Sequence, residues 1–150
     1  MKLMFDTQIY DLVVAQIDML EKMNDLNRKE LIEIYTTHIQ RDEILDIPDL
    51  VKKERMMLLI TKLVPTNGAV YGVSKYGMAT YGDGSLSALF SIDDFRPDSK
   101  KHTKDALIAT TTARDVDVLV TVDARFSKKM KALGRSPLKI KQFESRISRW

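Results

Sequence analysis

Apolar and polar positions divide the chain into short segments that alternate between strand and helix. Apolar runs at 3–5 and 116–122 predict buried strands, and the β-branched and aromatic residues at 31–37 predict another strand. A fourth run at 138–141 alternates apolar and basic side chains, which predicts a strand exposed on one face. Because helical segments separate these runs, we expect a mixed α/β domain with a mostly parallel central sheet.

Helical spacing of apolar residues predicts the connecting helices. The first half of the chain has this spacing over 9–20 and 50–63, with a shorter helical segment at 38–46 that Pro48 ends. On the helix predicted over 50–63, we expect the inward residues to include Val51, Met57, Leu58 and Ile60.

Two more helices are predicted in the last third of the chain. One begins at a cap on Ser99 or Thr103 and runs to Arg114, and the other is basic and covers 124–133, where Gly134 stops it. Residues 65–84 hold five of the six glycines, which predicts a loop or irregular hairpin over the active face. No phosphate-binding glycine motif is present there.

Composition narrows the class of protein. A chain of 150 residues with 44% hydrophobic residues is expected to form one domain, 1–150, around a single core. The absence of cysteine excludes disulfides, thiolate metal sites and cysteine nucleophiles. No signal peptide or membrane-length apolar run is visible, so we expect a cytoplasmic protein.

The small net charge of +3 conceals an asymmetric chain. Residues 1–95 carry 10 basic and 15 acidic side chains, whereas residues 96–150 carry 14 basic and 6 acidic ones. A basic C-terminal third of this kind is typical of a surface that contacts a phosphate backbone.

Acidic residues follow the predicted strands. Asp6 and Asp123 come directly after two of them, Asp105 falls in a predicted first helical turn, and Glu43 lies one turn beyond another strand. Carboxyl ends of parallel strands share one sheet edge, so we expect these acids to meet. Clustered carboxylates require protonation, a basic partner or a hard cation such as Mg²⁺ or Mn²⁺. Taken singly, each acid also fits a turn, a cap or a solvated helix position.

The same segments resemble the PIN-domain nuclease family. The similarity rests on Phe5-Asp6-Thr7, on residues 38–43, and most specifically on residues 102–126, where Lys-Asp-Ala-Leu-Ile-Ala precedes Leu-Val-Thr-Val-Asp-Ala-Arg-Phe. It covers residues 3 to about 141 in order. The resemblance implies a three-layer α/β/α fold and a Mg²⁺- or Mn²⁺-dependent endoribonuclease, as in the toxins of bacterial toxin–antitoxin pairs.

The resemblance also implies a set of site residues. The metal and catalytic acids would be Asp6, Glu43, Asp105 and Asp123, with Thr121 as the hydroxyl beside the last acid. Asp42, Asp46 and Glu33 are neighbouring alternatives to Glu43 in this set. The cations expected to hold RNA include Lys100, Lys101, Lys104, Arg125, Lys128 and Lys129.

The sequence is also compatible with other functions. The expected partners are an RNA substrate and, by resemblance, a protein antitoxin, and a homodimer is an open alternative. A non-catalytic module that binds nucleic acid, a protein-interaction subunit and a DNA nuclease are the competing interpretations.

Overall fold

The computed structural model describes residues 1–66, 103–132 and 136–149, apart from the side chains of 103–106, 129 and 132. The strands are β1 (Lys2–Phe5), β2 (Glu33–Thr37), β3 (Lys62–Val64) and β4 (Val118–Val120). The helices are α1 (Thr7–Ala15), α2 (Ile17–Arg28), α3 (His38–Leu45), α4 (Leu50–Met57), α5 (Thr103–Asp115), α6 (Ala124–Ala132) and α7 (Ile140–Ile147). Most of the predicted loop at 65–84 lies outside the described residues.

The four strands form one parallel sheet in the order β3-β2-β1-β4. Strand β1 lies between β2 and β4, and its Leu3 is beside Ile34 of β2 and Val118 of β4. Parallel strands need helical crossovers, which cover both faces of the sheet and explain why β1 is a continuous apolar run. The predicted α/β fold with a parallel sheet is confirmed.

Helices pack on both faces of the sheet, which makes three layers. Leu3 and Phe5 of β1 point into one core with residues of α1, α2, α4 and α7. Met4 points to the opposite face and packs in a second core with residues of α3, α5 and α6. This alternation is the period-two pattern of a strand buried on both sides. None of the helices in the described ranges is long and apolar enough to cross a bilayer.

Two predicted helices differ from the observed elements. The helix expected over 9–20 is two helices, because the backbone is extended at Gln16 (φ −113°, ψ 103°), and the second continues to Arg28. The helix expected over 50–63 ends at Met57, and the chain then forms strand β3. The side chain of Asn24 holds the intervening turn, because its Nδ2 donates to the Leu58 carbonyl and its Oδ1 accepts from the Ile60 backbone amide, both at 2.9 Å.

The inward face predicted for residues 50–63 is also wrong. Met56 and Leu59 are the buried side chains at the end of α4. Four side chains that we expected to face inward are exposed instead: Val51, Met57, Leu58 and Ile60.

The strand predicted at 138–141 is wrong as well. Leu138 makes one isolated parallel bridge to Val120, and α7 begins two residues later. Phe143 and Ile147 of α7 are buried in the first core, and Ile140 packs against it. The short alternation of apolar and basic residues is therefore the start of an amphipathic helix.

Candidate functional site

The strand order reverses at β1, and we call the space between the carboxyl ends of β1 and β4 the crevice. From β1 the chain proceeds through β2 to β3 on one side, and it returns to place β4 on the other side of β1. At such a reversal, the connections leave neighbouring strands in opposite directions and open a gap at their carboxyl ends, where ligands bind in parallel α/β sheets. Asp6 follows β1 and Thr121 follows β4, so both lie at this crevice.

A single hydroxyl group joins the two sides of the crevice. Thr121 Oγ1 donates a hydrogen bond to Asp6 Oδ2 at 2.7 Å and accepts one from the Asp123 backbone amide at 3.0 Å. The backbone amide of Asp6 also bonds the Val120 carbonyl at 3.0 Å. Thr121 is only 2% exposed, so its side chain has little freedom to reorient. These contacts bring Asp6 and Asp123 to the same crevice.

Asp123 also caps helix α6. Its Oδ1 accepts hydrogen bonds from the backbone amides of Arg125 at 2.7 Å and Phe126 at 3.0 Å. An acidic N-cap satisfies amides that have no partner within the helix and interacts favourably with the helix dipole. The other carboxylate oxygen, Oδ2, takes part in neither bond. Capping therefore fixes the orientation of Asp123 and uses one of its two oxygens.

Glu43 of α3 is hydrogen-bonded to the residue that follows Asp6 in the chain. Thr7, the first residue of α1, donates a hydrogen bond from Oγ1 to Glu43 Oε2 at 2.7 Å. Because Thr7 directly follows Asp6 in the chain, this bond brings the α3 carboxylate toward the carboxyl end of β1. Glu43 is partly buried there.

Gln40 positions α3 and was not identified from the sequence. Its Nε2 donates to the carbonyl of Phe5, the last residue of β1, at 2.5 Å. Its Oε1 accepts from the Thr37 amide at 3.0 Å, and Thr37 Oγ1 accepts from the Gln40 amide at 3.3 Å. This reciprocal pair is a capping box, and the Thr-x-x-Gln pattern at 37–40 is the sequence signal that could have revealed it.

The three alternatives to Glu43 occupy different places. Glu33 is the first residue of β2, so it lies at the amino end of the strand, where it pairs with Lys62. Asp46 is the C-cap residue of α3 and is exposed. Asp42 is 5% exposed, and its Oδ1 has no hydrogen bond within the described part of the chain. Glu43 is the one of these acids that bonds the residue next to Asp6.

Asp105 lies in the first turn of α5, although its side chain is outside the described atoms. The C-terminal end of α5 leads directly into β4, and the Asp117 amide bonds the Lys2 carbonyl at the amino end of β1 at 3.0 Å. Helix α5 therefore ends at the amino edge of the sheet and begins toward the opposite, carboxyl edge. The backbone places residue 105 at the end of the molecule where Asp6 and Asp123 lie.

Exposed basic residues follow the last acid. Arg125 and Lys128 lie three positions apart on α6, which places them as neighbours on one helix face. Lys104 and Lys129 are in α5 and α6 with undescribed side chains, and Lys100 and Lys101 lie outside the described residues.

The largely apolar cavity of about 330 Å³ beside α3 and α4 does not coincide with the crevice. Its lining includes Tyr10, Thr36 and Met56 but none of the candidate acids. Burial raises the pKa of Tyr10 to about 12. This cavity offers no carboxylate for acid–base or metal chemistry.

The donor chemistry of the crevice fits a hard divalent cation. Carboxylate and hydroxyl oxygens are the ligands that Mg²⁺ and Mn²⁺ prefer, and the described side chains at the crevice offer no softer ligand. Among the described residues, no three His, Asp or Glu side chains are close enough to hold a metal ion. A complete ligand set thus requires a further group, and Asp105 lies in the first turn of α5, which begins toward this edge.

These features define a parallel α/β domain with an acidic crevice at its topological reversal. Comparison with protein-family models, curated proteins and solved structures finds no match. The similarity to PIN-domain nucleases therefore stays a prediction from the residues of this chain.

Proposed function

We propose that the protein is a Mg²⁺- or Mn²⁺-dependent endoribonuclease whose site is the crevice between β1 and β4. The observation that carries this proposal is the Thr121 hydroxyl, which bonds Asp6 and the backbone of Asp123 at once. Carboxylates whose orientation is restrained by hydrogen bonds are suited to bind a divalent cation.

The chain's own residues have distinct roles in this proposal. Asp6, Glu43, Asp105 and Asp123 supply oxygen ligands, and the hydrogen bonds from Thr121 and Thr7 orient two of them. Thr121 acts as a positioning residue, because its proton is directed at Asp6 rather than at solvent. The bound cation would supply an acidified water for attack on phosphorus and stabilise the leaving oxygen.

The surface beside the crevice supports a polyanionic substrate. Carboxylates repel RNA, so cations have to flank them, and Arg125 and Lys128 are exposed on the helix that Asp123 caps. Contacts of this type hold the phosphate backbone without reading its sequence. We also propose a cytoplasmic location and, from the family resemblance, control by a protein antitoxin.

Substitution of a single cap residue tests the proposal while preserving the fold. Asn caps helices as well as Asp does, so Asp123→Asn keeps the helix bonds and removes the charge. Asp49→Asn is the matched control, because Asp49 caps α4 through the Lys52 amide at 3.0 Å and is not one of the candidate acids. We expect Asp123→Asn to lose metal-dependent cleavage of labelled RNA on the order of 100-fold or more. Asp49→Asn should retain it.

The same assay discriminates the competing functions. Cleavage that persists in EDTA, or full activity of Asp123→Asn, would contradict the proposal. Salt-sensitive RNA binding without cleavage in Mg²⁺ or Mn²⁺ would indicate a non-catalytic binding module. A DNA strand of the same sequence, tested in parallel, distinguishes a ribonuclease from a DNA nuclease.

A further inference from the structure

Helix α4 presents an apolar surface away from its buried face. Met56 is buried, whereas Val51 is 60%, Met57 63% and Leu58 59% exposed. Exposing several large apolar side chains on one short helix is unfavourable for an isolated molecule, and such patches commonly mark interaction sites.

Two charged residues lie within this surface. Val51, Glu54, Arg55 and Leu58 follow the spacing i, i+3, i+4, i+7, and all four line one shallow depression of about 500 Å³ together with Met57. In the described part of the chain, neither Glu54 nor Arg55 forms an ion pair. We call these five residues the α4 patch.

The order of residues in the α4 patch is complementary to itself. Two copies of the helix can pair antiparallel about a two-fold axis between positions 54 and 55. Residues at equal distances on either side of this axis then lie opposite each other. Val51 then lies opposite Leu58 of the second copy, and Glu54 lies opposite Arg55 of the second copy. The symmetry repeats each pair, so both apolar ends and both charges are matched.

We propose that the α4 patch is the surface through which two copies of this chain associate as a two-fold dimer. Opposite charges fix the antiparallel register, and the apolar residues supply the driving force. The pairing does not depend on the nuclease proposal, because none of the candidate acids belongs to the α4 patch.

The dimer is expected to be weak. A stable interface buries about 800 Å² per partner, which is more than one two-turn helix face provides. We therefore expect a dissociation constant on the order of 10–100 µM, which sedimentation equilibrium can measure.

Charge reversal tests the register directly. Glu54→Arg places arginine opposite arginine, and Arg55→Glu places glutamate opposite glutamate, so each single variant should weaken self-association about tenfold or more. The double variant E54R/R55E restores opposite charges and should recover the wild-type dissociation constant. Mixing the two single variants should produce a heterodimer, since every facing pair is then Arg against Glu.

The matched control is Glu21→Arg, which reverses an exposed charge on α2 outside the α4 patch. This variant should associate as the wild type does, and circular dichroism verifies that all variants are folded. A wild-type chain that stays monomeric at about ten times the expected dissociation constant would overturn the proposal. A double variant that associates no better than the single ones, or single variants equal to the wild type, would overturn it as well.

Discussion

Replacing Thr121 with valine removes the hydroxyl that links the two sides of the crevice and leaves the shape of the side chain almost unchanged. Thr121 is 2% exposed, and its Oγ1 bonds Asp6 Oδ2 at 2.7 Å. Because valine fills the same volume, the substitution opens no cavity. The change in the free energy of unfolding therefore reports the lost hydrogen bonds.

The expected magnitude follows from the charge of the acceptor. A hydrogen bond to a charged group contributes about 1.5–3 kcal/mol, and the Asp123 amide also loses its acceptor. We expect Thr121→Val to lower the free energy of unfolding by about 2 kcal/mol. With an unfolding entropy of about 2.1 cal/mol/K per residue, this loss corresponds to a Tm decrease of roughly 6 °C for a domain of this length.

Urea and thermal unfolding at neutral pH measure this change, with Thr121→Ser as the control. Serine keeps the hydroxyl and loses one methyl group, which costs about 1 kcal/mol. In the cleavage assay, Thr121→Val should also lose activity about 10- to 100-fold, as is typical of residues that orient metal ligands. A valine variant as stable and active as the serine variant would refute the link between Thr121 and Asp6.

Three further predictions concern the rest of the fold. Asn24→Ala should cost about 2 kcal/mol by equilibrium unfolding, because it leaves the Leu58 carbonyl and the Ile60 amide without their partner; Asn27→Ala, which loses one exposed bond to the Ile60 carbonyl, should cost less. The hydrogen bond from Lys62 holds the pKa of Glu33 below its ordinary value, so Lys62→Met should raise that pKa in an NMR titration and reduce the loss of stability on acidification. Burial raises the pKa of Tyr10 from 10.0 to about 12, so the stability that its neutral form contributes is present below pH 10 and lost as the pH rises toward 12; Tyr10→Phe should flatten this alkaline decline in unfolding experiments.

Strands in this chain were predictable where burial on both faces left a continuous apolar run. The runs that became β1 and β4 are of this kind, whereas β2 was predicted from its β-branched and aromatic residues. Strand β3 was not identified, because Lys62-Leu63-Val64 is short and its strand structure depends on pairing with β2. The break at Gln16 carries no glycine or proline signal, so local sequence gave no reason to divide the helix there.

The buried face of a short helix was harder to predict than the presence of the helix. On α4, apolar residues occur on both sides, and only packing decides that Met56 is buried while Met57 is exposed. The segment beginning at Leu138 shows the opposite problem, because four alternating residues suggested a strand. The wider spacing of Ile140, Phe143 and Ile147 belongs to a helix.

The candidate site was partly predictable for a topological reason. Acids that follow parallel strands must lie at one edge, which the sequence indicated for Asp6 and Asp123. Which strands are neighbours is a property of the tertiary fold, so the bond from Thr121 to Asp6 was not foreseeable. The role of Gln40 depends on the same adjacency, because its amide reaches the end of β1 from α3.

Anomalous diffraction from crystals soaked in Mn²⁺ tests the acidic crevice most directly. We expect a manganese peak within about 2.5 Å of oxygens from Asp6 and Asp123, between the carboxyl ends of β1 and β4. The peak should be lost in crystals of Asp123→Asn. Manganese bound elsewhere, or none at the crevice while RNA is still cleaved, would contradict the assignment of this edge as the metal site.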